Sequence, residues 1–493
     1  MSSLSLRRAL SALLALLALV NLWVFARFTV DDAFITWRYG LNLVQHGVWA
    51  YNPDGFDLTQ AYTNPVFAAL SVLPAALGLD MVLAFKLLSL VVLAALGARM
   101  LHLAQDRGGM ALILLALLAI PATLVHGFSG LETVLYGGAL GLWFIATERG
   151  KWHSALALAS LLVLTRPEAW LLFGLHPLAL GLARQGWRRV IRQTAILWAQ
   201  GAALAGFHLW HFGHVLPNTY FIKSGDGISL AQALEFLPWL LPALAVLALG
   251  NRRTGLLLTL YFGAVWLNYS GSDLLMNYLQ RFAFQMVLPM ALYLGWALSR
   301  QGAPKVAVLA LLGWLAAFGW HTRSLGDHLG IANYYPRLLD SHVLLGQTLH
   351  RLAAEGRLSG FALADAGAAA YHADILALDP IGLASALRAQ AGRLTPEIVR
   401  AYAPDVVGFH ATTDGIRDLP DRHDALWTYV AETGMVERCE LVWARHYTMR
   451  LFTREAMPEL DALCAQSLAA NGLDELRYAL RQLRQPPWAY WHE

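Results

Sequence analysis

The sequence of 493 residues is poor in charge: Asp, Glu, Lys and Arg make up 14% of it, against about 25% in soluble globular proteins. Hydrophobic residues make up 57%. The deficit of charge is uneven, because residues 9–322 hold nearly all the long apolar runs, whereas residues 323–493 have the composition of a soluble protein. The sequence therefore predicts a polytopic α-helical membrane protein with a soluble C-terminal domain.

The sequence also has few cysteines and lacks basic stripes, repeats and low-complexity linkers, which excludes further classes of function. The basic residues form no stripe with interleaved aromatic residues, so nothing indicates a nucleic-acid partner. We find no internal repeat and no low-complexity linker. The chain has two cysteines, Cys439 and Cys464, both in the C-terminal part. Whether they form a disulfide stays open, because sequence alone cannot decide the pairing.

Apolar segments of helical length follow one another through the first two thirds of the chain. Twelve of them lie near residues 9–28, 66–79, 81–104, 109–127, 131–148, 153–164, 168–183, 193–211, 229–249, 254–270, 283–299 and 303–322. The first resembles a signal peptide, but its length and the many segments behind it favour an uncleaved helix. Lys and Arg in the short loops place the N-terminus inside and everything after residue 323 outside.

The charge pattern conflicts with twelve full crossings, because an even number that begins inside would also end inside. Segment 66–79 is the best candidate for one that does not cross. Its 14 residues span about 21 Å as a helix, against a hydrocarbon core of about 30 Å. We therefore predict about 11 transmembrane helices, with the outer face carrying the loop 28–64 and the C-terminal domain.

The C-terminal part alternates short apolar strands with helical stretches. Residues 361–365, 374–379 and 405–409 are typical of buried strands, and residues 437–455 of one or two longer strands. This pattern predicts a soluble α/β domain. The predicted domains are thus 1–322, a transmembrane catalytic domain, and 323–493, a periplasmic α/β domain.

Polar residues collect in the loops assigned to the outer face. The stretch 28–64 begins with adjacent carboxylates, Asp31 and Asp32, directly after the first apolar run, and Arg38 follows six residues later. Further outer loops contribute Glu132, Arg166, Glu168, Asn218, Lys223, Asp273 and Arg281. Ionisable groups near a membrane are functional candidates by default, because leaving them there is costly. The pattern suits a site that handles a polar head group attached to a lipid.

The chemistry of such a site assigns roles to these residues. A lipid-linked phosphate needs cations that bind it and stabilise it as it leaves, and the candidates are Arg38, Arg166, Lys223 and Arg281. An acceptor hydroxyl needs a carboxylate that takes its proton, and Asp31 or Asp32 would serve. Two adjacent acids repel, which raises the pKa of one of them. The candidates for contacts to the substrate are Trp37, Tyr62, Asn64, Glu132, Glu168, Asn218 and Asp273.

Each assignment has a structural alternative. The Asp31-Asp32 pair is also typical of a solvated loop or a helix N-cap. Arg166 and Glu168 are close enough in sequence to pair with each other at the membrane edge. His211 and His214 have a spacing found in metal sites, but no third ligand is evident nearby, so no metal site is predicted.

Taken in order, the polar motifs resemble those of the GT-C superfamily of polyprenyl-phosphate-sugar glycosyltransferases. Within it they resemble the mycobacterial terminal arabinofuranosyltransferase AftB and its bacterial relatives. The motifs are Asp31-Asp32-Ala33-Phe34-Ile35-x-x-Arg38-Tyr39, Tyr51-Asn52-Pro53, Tyr62-Thr63-Asn64-Pro65, Ser129-Gly130-Leu131-Glu132-Thr133, Thr165-Arg166-Pro167-Glu168, Leu216-Pro217-Asn218-Thr219-Tyr220-x-x-Lys223, Gly271-Ser272-Asp273 with Arg281, Asp365-Ala366-Gly367 and Asp379-Pro380-Ile381-Gly382-Leu383. The resemblance covers most of the chain. Ser272 departs from it, since relatives often have Gly there.

The resemblance implies a GT-C fold with a site at the outer membrane–water interface and the essential acid in the first outer loop, here Asp31 or Asp32. The donor would be a polyprenyl-phosphate-linked sugar, with arabinofuranose as the expected sugar, and no nucleotide sugar is needed. The expected partners are this lipid-linked donor, membrane lipid, and a glycan or protein acceptor outside the bacterial cytoplasmic membrane. Cofactors and metal dependence are not defined by the resemblance.

Two other function classes compete with a glycosyltransferase. A transporter or flippase for a lipid-linked precursor of the cell envelope would place polar residues along a whole transit path and often has inverted repeats. A non-catalytic assembly protein would give no reason for acids and bases to gather on one face. We therefore favour a glycosyltransferase and keep the flippase as the alternative.

Overall fold

The computed structural model describes residues 3–223, 227–249, 252–300, 305–412, 415–416 and 420–492. Up to residue 223, its α-helices are α1 (Ser3–Phe25), α2 (Asp31–His46), α3 (Pro65–Ala76), α4 (Met81–Leu103), α5 (Arg107–Leu118), α6 (Pro121–Phe128), α7 (Thr133–Glu148), α8 (Trp152–Val163), α9 (Leu172–Leu182), α10 (Trp187–Phe212) and α11 (Asn218–Lys223). The later helices are α12 (Leu230–Leu249), α13 (Arg252–Ser270), α14 (Arg281–Arg300), α15 (Lys305–His321), α16 (Leu325–Leu338), α17 (Leu344–Ala354), α18 (Ala368–Ala373), α19 (Ala386–Gln390), α20 (Pro396–Tyr402), α21 (Pro420–Thr433), α22 (Pro458–Asn471) and α23 (Glu475–Gln482).

Helices occupy all twelve apolar segments predicted from the sequence, apart from residues 303–304, which lie outside the described residues. Two segments differ from a simple helix. Segment 109–127 is divided into α5 and α6, which meet at an angle of 74° in front of Pro121. Proline lacks the N–H that would continue the first helix, so a break at this position is expected. Segment 168–183 begins with a 3₁₀ turn, Pro167–Leu171, before α9.

Fewer helices meet the length and composition expected of a membrane span than there are apolar helices. Among the described residues, four helices are long and apolar enough to span a bilayer: Arg7–Phe25, Met81–Leu103, Leu230–Ala248 and Tyr278–Arg300. Two bent helix pairs raise the number to six if each pair is one span. Helix α3 has 12 residues, about 18 Å, and so is too short to cross. The chain is a membrane protein by these criteria, and the count of about 11 crossings stays a prediction.

The stretch 28–64, expected as a loop, contains the 16-residue helix α2. Its first turn carries Asp31 and Asp32, and acids there interact favourably with the positive end of the helix dipole. Gly47 ends it in a left-handed conformation (φ 73°), and its N–H donates to the backbone oxygen of Asn42. Glycine adopts this conformation without the steric penalty of a side chain.

The C-terminal part forms a sheet of six strands: β1 (Gly360–Ala362), β2 (Leu376–Leu378), β3 (Val406–Thr412), β4 (Gly415–Ile416), β5 (Val436–Ala444) and β6 (Tyr447–Thr453). The order is β2-β1-β3-β6-β5, and β4 pairs with β3. The first three strands are parallel, whereas β6 runs antiparallel to both β3 and β5. The strands predicted from the sequence are therefore present, and residues 437–455 form the hairpin β5–β6.

The chain divides into two compact units that interleave along the sequence. Unit 1 comprises residues 1–26, 86–207 and 223–328, and unit 2 comprises residues 27–85, 208–222 and 329–493. The predicted boundary at residue 322 stays a prediction, but unit 2 joins the first outer loop to the C-terminal sheet. Its core contains Tyr39 and Tyr51 together with Leu349 and Phe361.

A disulfide joins Cys439 on β5 to Cys464 on α22. The sequence had left this pairing open. Sheet formation brings the two residues together, because β5 and α22 pack against each other in the core of unit 2.

Candidate active site

In unit 2, the two adjacent acids at the start of α2 have different surroundings. Asp31 is 7% exposed, and its carboxylate accepts hydrogen bonds from the backbone N–H groups of Gly367 (3.0 Å) and Ala368 (2.7 Å). These N–H groups begin α18, so Asp31 caps that helix from a distant part of the chain. Asp31 therefore fastens the first loop to the C-terminal segment.

Asp32 is half-buried and forms no hydrogen bond or salt bridge within the described residues. The carboxylate is thus held on a helix whose other residues are largely buried, while no described residue donates a hydrogen bond to its oxygens. Of the two acids, Asp32 is the one whose oxygens are available to a ligand. The carboxylate of Asp31 is already bound by backbone N–H groups, a difference between the two acids that the sequence alone could not reveal.

Glycine at position 367 is required by the closeness of this contact. A Cβ atom added there would lie 2.1 Å from the backbone oxygen of Asp31 and 2.4 Å from its Oδ2. Such distances are far below van der Waals contact, so only glycine allows the two segments to approach in this way. The Asp365-Ala366-Gly367 motif thus has a structural function in addition to any chemical one.

Three more residues of the first loop bind the C-terminal segment. The hydroxyl of Tyr51 donates to the backbone oxygen of Ala366 (2.6 Å), and the N–H of Ala377 donates to Oδ1 of Asn52 (3.0 Å). The carboxylate of Asp57 accepts from the hydroxyls of Ser385 and Tyr402 and from the N–H of Leu387. The loop is therefore fixed along its length, which holds α2 in a defined position.

A cluster of titratable side chains surrounds Asp365, and the sequence did not predict it. Its Oδ2 lies 2.7 Å from Nε2 of His342 and 3.3 Å from Nε2 of His410. The hydroxyl of Tyr447 donates to the same carboxylate (3.0 Å) and lies 2.9 Å from His410. Strand pairing brings Asp365 and His410 together. Strands β1 and β3 are parallel with Ala362 opposite Val407, and Asp365 and His410 each follow their paired residue by three positions.

Burial and the charges of this cluster shift the pKa values of Asp31 and Asp365 in opposite directions. Burial raises the pKa of Asp31 to about 6, and the nearby carboxylate of Asp365 adds to the effect, while the imidazole of His342 opposes it. Burial acts on Asp365 too, but His410 and His342 together hold the pKa of that carboxyl well below its usual range. Asp365 therefore stays ionised, and Asp31 titrates closer to neutrality.

Arg38 is buried beside this region of unit 2. Its guanidinium lies over the ring of Tyr51 (4.4 Å to the centroid), and Nη2 donates to the backbone oxygen of Ile375 (2.6 Å). Its Nε and Nη1 have no hydrogen-bond acceptor in the described part of the chain. A buried, charged group with two unsatisfied donors is costly, so an anion that reached them would be bound strongly.

The other residues of unit 2 that were predicted to bind the substrate have protein partners. Trp37 is buried between the rings of Phe34 and Phe85, each at 4.9 Å. The remaining three are Tyr62, whose hydroxyl accepts from the indole of Trp49, Asn64, whose Oδ1 caps α3, and Asn218, whose amide donates to the hydroxyl of Thr59. Their contacts explain the packing of the loop, and their roles in binding stay predictions.

In unit 1, the predicted residues form a second polar cluster. Arg166 donates to Glu132 through Nη1 and to both oxygens of Glu168 through Nε and Nη2. The hydroxyl of Tyr269 donates to Glu168 (2.7 Å), and Nη2 of Arg281 lies 3.9 Å from Glu132. Two carboxylates thus face two guanidinium groups, so these four side chains carry no surplus positive charge. The proposed contact of Arg166 with a phosphate receives no support from its partners.

Two predicted residues of unit 1 are joined through the backbone. The N–H of Asp273 donates to the backbone oxygen of Lys223 (2.9 Å), and the side chain of Asp273 is exposed. In unit 2, His211 and His214 each bond to a backbone oxygen, of Trp49 and Leu216 respectively. Among the described residues, no group of three His, Cys, Asp or Glu side chains is arranged to hold a metal ion.

Comparisons with known proteins concern the fold alone. No protein-family model and no curated protein sequence matches the chain. Two solved structures of ArnT from Cupriavidus metallidurans are similar: the form bound to undecaprenyl phosphate (TM-score 0.54, 13% identity) and the apo form (TM-score 0.51, 14% identity). Each comparison covers 92% of this chain and 99% of the ArnT chain. The fold of this chain is therefore similar to that of ArnT over nearly its whole length.

Proposed function

We propose that this protein is a membrane glycosyltransferase that moves a sugar from a polyprenyl phosphate to an acceptor outside the cytoplasmic membrane. The observation that carries the proposal is Asp32, a carboxylate that has no partner among the described residues and lies at the start of a helix that is fixed at several points. The likeness of fold to ArnT, which was solved with undecaprenyl phosphate, supports a lipid-linked donor. Fold alone does not define a reaction, so the residues must carry the argument.

The proposed reaction uses Asp32 as the general base. It takes the proton of an acceptor hydroxyl while that oxygen forms a bond to the anomeric carbon of the sugar. The bond between the anomeric carbon and the phosphate oxygen breaks, and polyprenyl phosphate leaves with the electron pair. Asp32 is suited to this role because no donor in the described part of the chain binds its oxygens, whereas two backbone N–H groups bind those of Asp31.

The leaving phosphate gains negative charge, which a cation would stabilise. Arg38 is the candidate in unit 2, because two of its buried N–H donors lack an acceptor among the described residues. In unit 1, Arg281 lies 3.9 Å from the carboxylate of Glu132, a distance too long for a hydrogen bond. We keep Arg281 and Lys223 as proposed phosphate ligands. Each is tested by its own substitution.

The sequence resemblance to AftB supplies the finer part of the proposal. Arabinofuranose is the proposed sugar, and a glycan or protein at the outer face is the proposed acceptor. The active site and the C-terminal domain would both face the periplasmic side of the bacterial inner membrane, as the distribution of Lys and Arg in the loops indicates.

The experiment is sugar transfer by the purified, full-length protein from synthetic polyprenyl-phospho-arabinofuranose to a panel of acceptors. We expect Asp32→Asn to lower the rate by about 10²–10⁴-fold, the usual contribution of a general base. Asp461→Asn is the matched control, because Asp461 is an exposed acid of the same unit with no side-chain partner in the described residues. It makes the same change of charge and should leave the rate unaltered.

The outcomes separate the hypotheses. Equal loss in both variants, or transfer by Asp32→Asn at the wild-type rate, would remove Asp32 as the base. Failure of the wild type with every donor and acceptor, together with movement of the lipid-linked sugar across a vesicle membrane, would support the flippase instead.

A further inference from the structure

Helix α23 has an outward face that no part of the described chain covers. Its inner face is formed by the buried residues Tyr478, Ala479 and Gln482. On the opposite face, Leu476 and Leu480 are 55% and 57% exposed. Residues four apart are neighbours on a helix surface, so the two leucines form one apolar stripe that faces outward.

Basic and aromatic residues continue this exposed surface. Arg477, Arg481 and Arg484 are exposed beside the leucines, and Trp488, a few residues further on, is 61% exposed. Arg477 pairs with Asp474, whereas Arg481 and Arg484 form no salt bridge in the described part of the chain. A short apolar stripe bordered by arginines and followed by a tryptophan is typical of helices that lie in a membrane interface.

Helix α23 is bound to a residue that follows a candidate membrane span directly in the sequence. Arg27 follows Phe25, the last residue of the candidate span Arg7–Phe25, by two positions. Two extended residues reach at most about 7 Å. The guanidinium of Arg27 donates to the backbone oxygens of Gln482 (2.9 Å) and Gln485 (3.3 Å), so the C-terminal end of α23 is bound to a residue that directly follows the span.

The N-terminal end of α23 is held in a similar way. The carboxylate of Glu475 accepts hydrogen bonds from Asn333 and Arg337 on α16. Three residues separate the start of α16 from the end of α15 at His321, and these helices form one of the two bent pairs that are candidates for a single span. The pairing also removes the one acid of the helix from the outward face, since Glu475 is engaged by Arg337.

We propose that the surface formed by Leu476, Leu480, Arg481, Arg484 and Trp488 binds the anionic phospholipid surface of the membrane. The leucines and the indole enter the boundary between head groups and acyl chains, and the two arginines bind lipid phosphates. Charge complementarity and the tether to the end of a span both favour lipid over a protein partner. This binding holds the C-terminal segment against the bilayer and does not depend on transfer activity.

The test measures the depth of one position in nanodiscs that contain single copies of the full-length protein. Because both natural cysteines are in a disulfide, Leu480→Cys provides a unique site for an environment-sensitive fluorophore. Glu397→Cys is the control, an exposed position on α20 in the same unit. We expect phospholipids with a quencher near the head group to quench the label at position 480 at least about twofold more than at position 397, with a blue shift of its emission.

The lipid specificity is tested with the same label. Replacing phosphatidylglycerol by phosphatidylcholine, or combining Arg481→Gln with Arg484→Gln, should weaken the quenching at position 480. Equal quenching at positions 480 and 397 would overturn the proposal, as would access of a soluble quencher to both labels. Shielding of the label that appears only when two copies of the protein share a disc would assign the surface to a second copy instead. Leu476→Cys repeats the measurement one turn earlier.

Discussion

Replacing Gly367 by Ala tests the contact on which the candidate active site of unit 2 rests. The new Cβ would lie 2.1 Å from the backbone oxygen of Asp31, so one of the two segments must move by more than 1 Å to reach ordinary contact. That movement breaks or weakens the hydrogen bonds from Gly367 and Ala368 to the Asp31 carboxylate. Overpacking costs about 1–3 kcal/mol, and a hydrogen bond to a charged group contributes about 1.5–3 kcal/mol.

We therefore expect Gly367→Ala to lower the free energy of unfolding by about 3–6 kcal/mol. The measurement is thermal unfolding of the purified protein, followed by tryptophan fluorescence. The rate of sugar transfer should fall by more than the loss of folded protein explains. Asp32 adjoins Asp31, and a displacement of about 1 Å can lower a rate about 10²-fold. The rate is measured well below the unfolding midpoint.

The matched control is Gly330→Ala in the same unit. Gly330 lies within α16, and a Cβ there would have nothing within 4 Å. Alanine favours the helix over glycine by up to about 1 kcal/mol, so this variant should be as stable as the wild type or more so. If Gly367→Ala unfolded at the same temperature as the control, the close contact between the first loop and α18 would not exist.

Two further predictions concern ionisable groups. Because the pKa of Asp31 is raised to about 6 in the folded protein, its contribution to stability is complete below the unfolded value and is lost as the pH rises through 6. The stability of wild type relative to Asp31→Asn should thus fall by about 2.5 kcal/mol between pH 4 and pH 7; a constant difference in unfolding midpoint would contradict it. In unit 1, Arg166→Gln leaves two buried carboxylates without their main partner and should cost about 3–5 kcal/mol. An unchanged unfolding midpoint would show that this cluster is hydrated. Arg166→Lys, which keeps the positive charge, is the control.

The sequence predicted the positions of helices and strands better than it predicted which side chains bind one another. All twelve apolar segments are helical, because an apolar run of that length favours a helix locally. The short apolar segments of the C-terminal part form strands, which their local pattern also indicated. The helix α2 was expected as a loop, since its polar residues, needed for contacts within unit 2, obscure its periodicity. The break before Pro121 shows how one residue divides an apolar run that composition alone treats as continuous.

Composition and short-range pattern by themselves determined the membrane class, the positions of the apolar helices and of the strands, and the region in which acids and arginines gather. Only the tertiary structure decided what each charged group does. The N–H groups that bind Asp31 come from residues more than 330 positions away, whereas no donor among the described residues binds Asp32. The cluster of Asp365, His342 and His410 likewise exists only once parallel strands are in register. Hydrogen bonds act over a few ångströms regardless of sequence separation, so no local pattern could have assigned them.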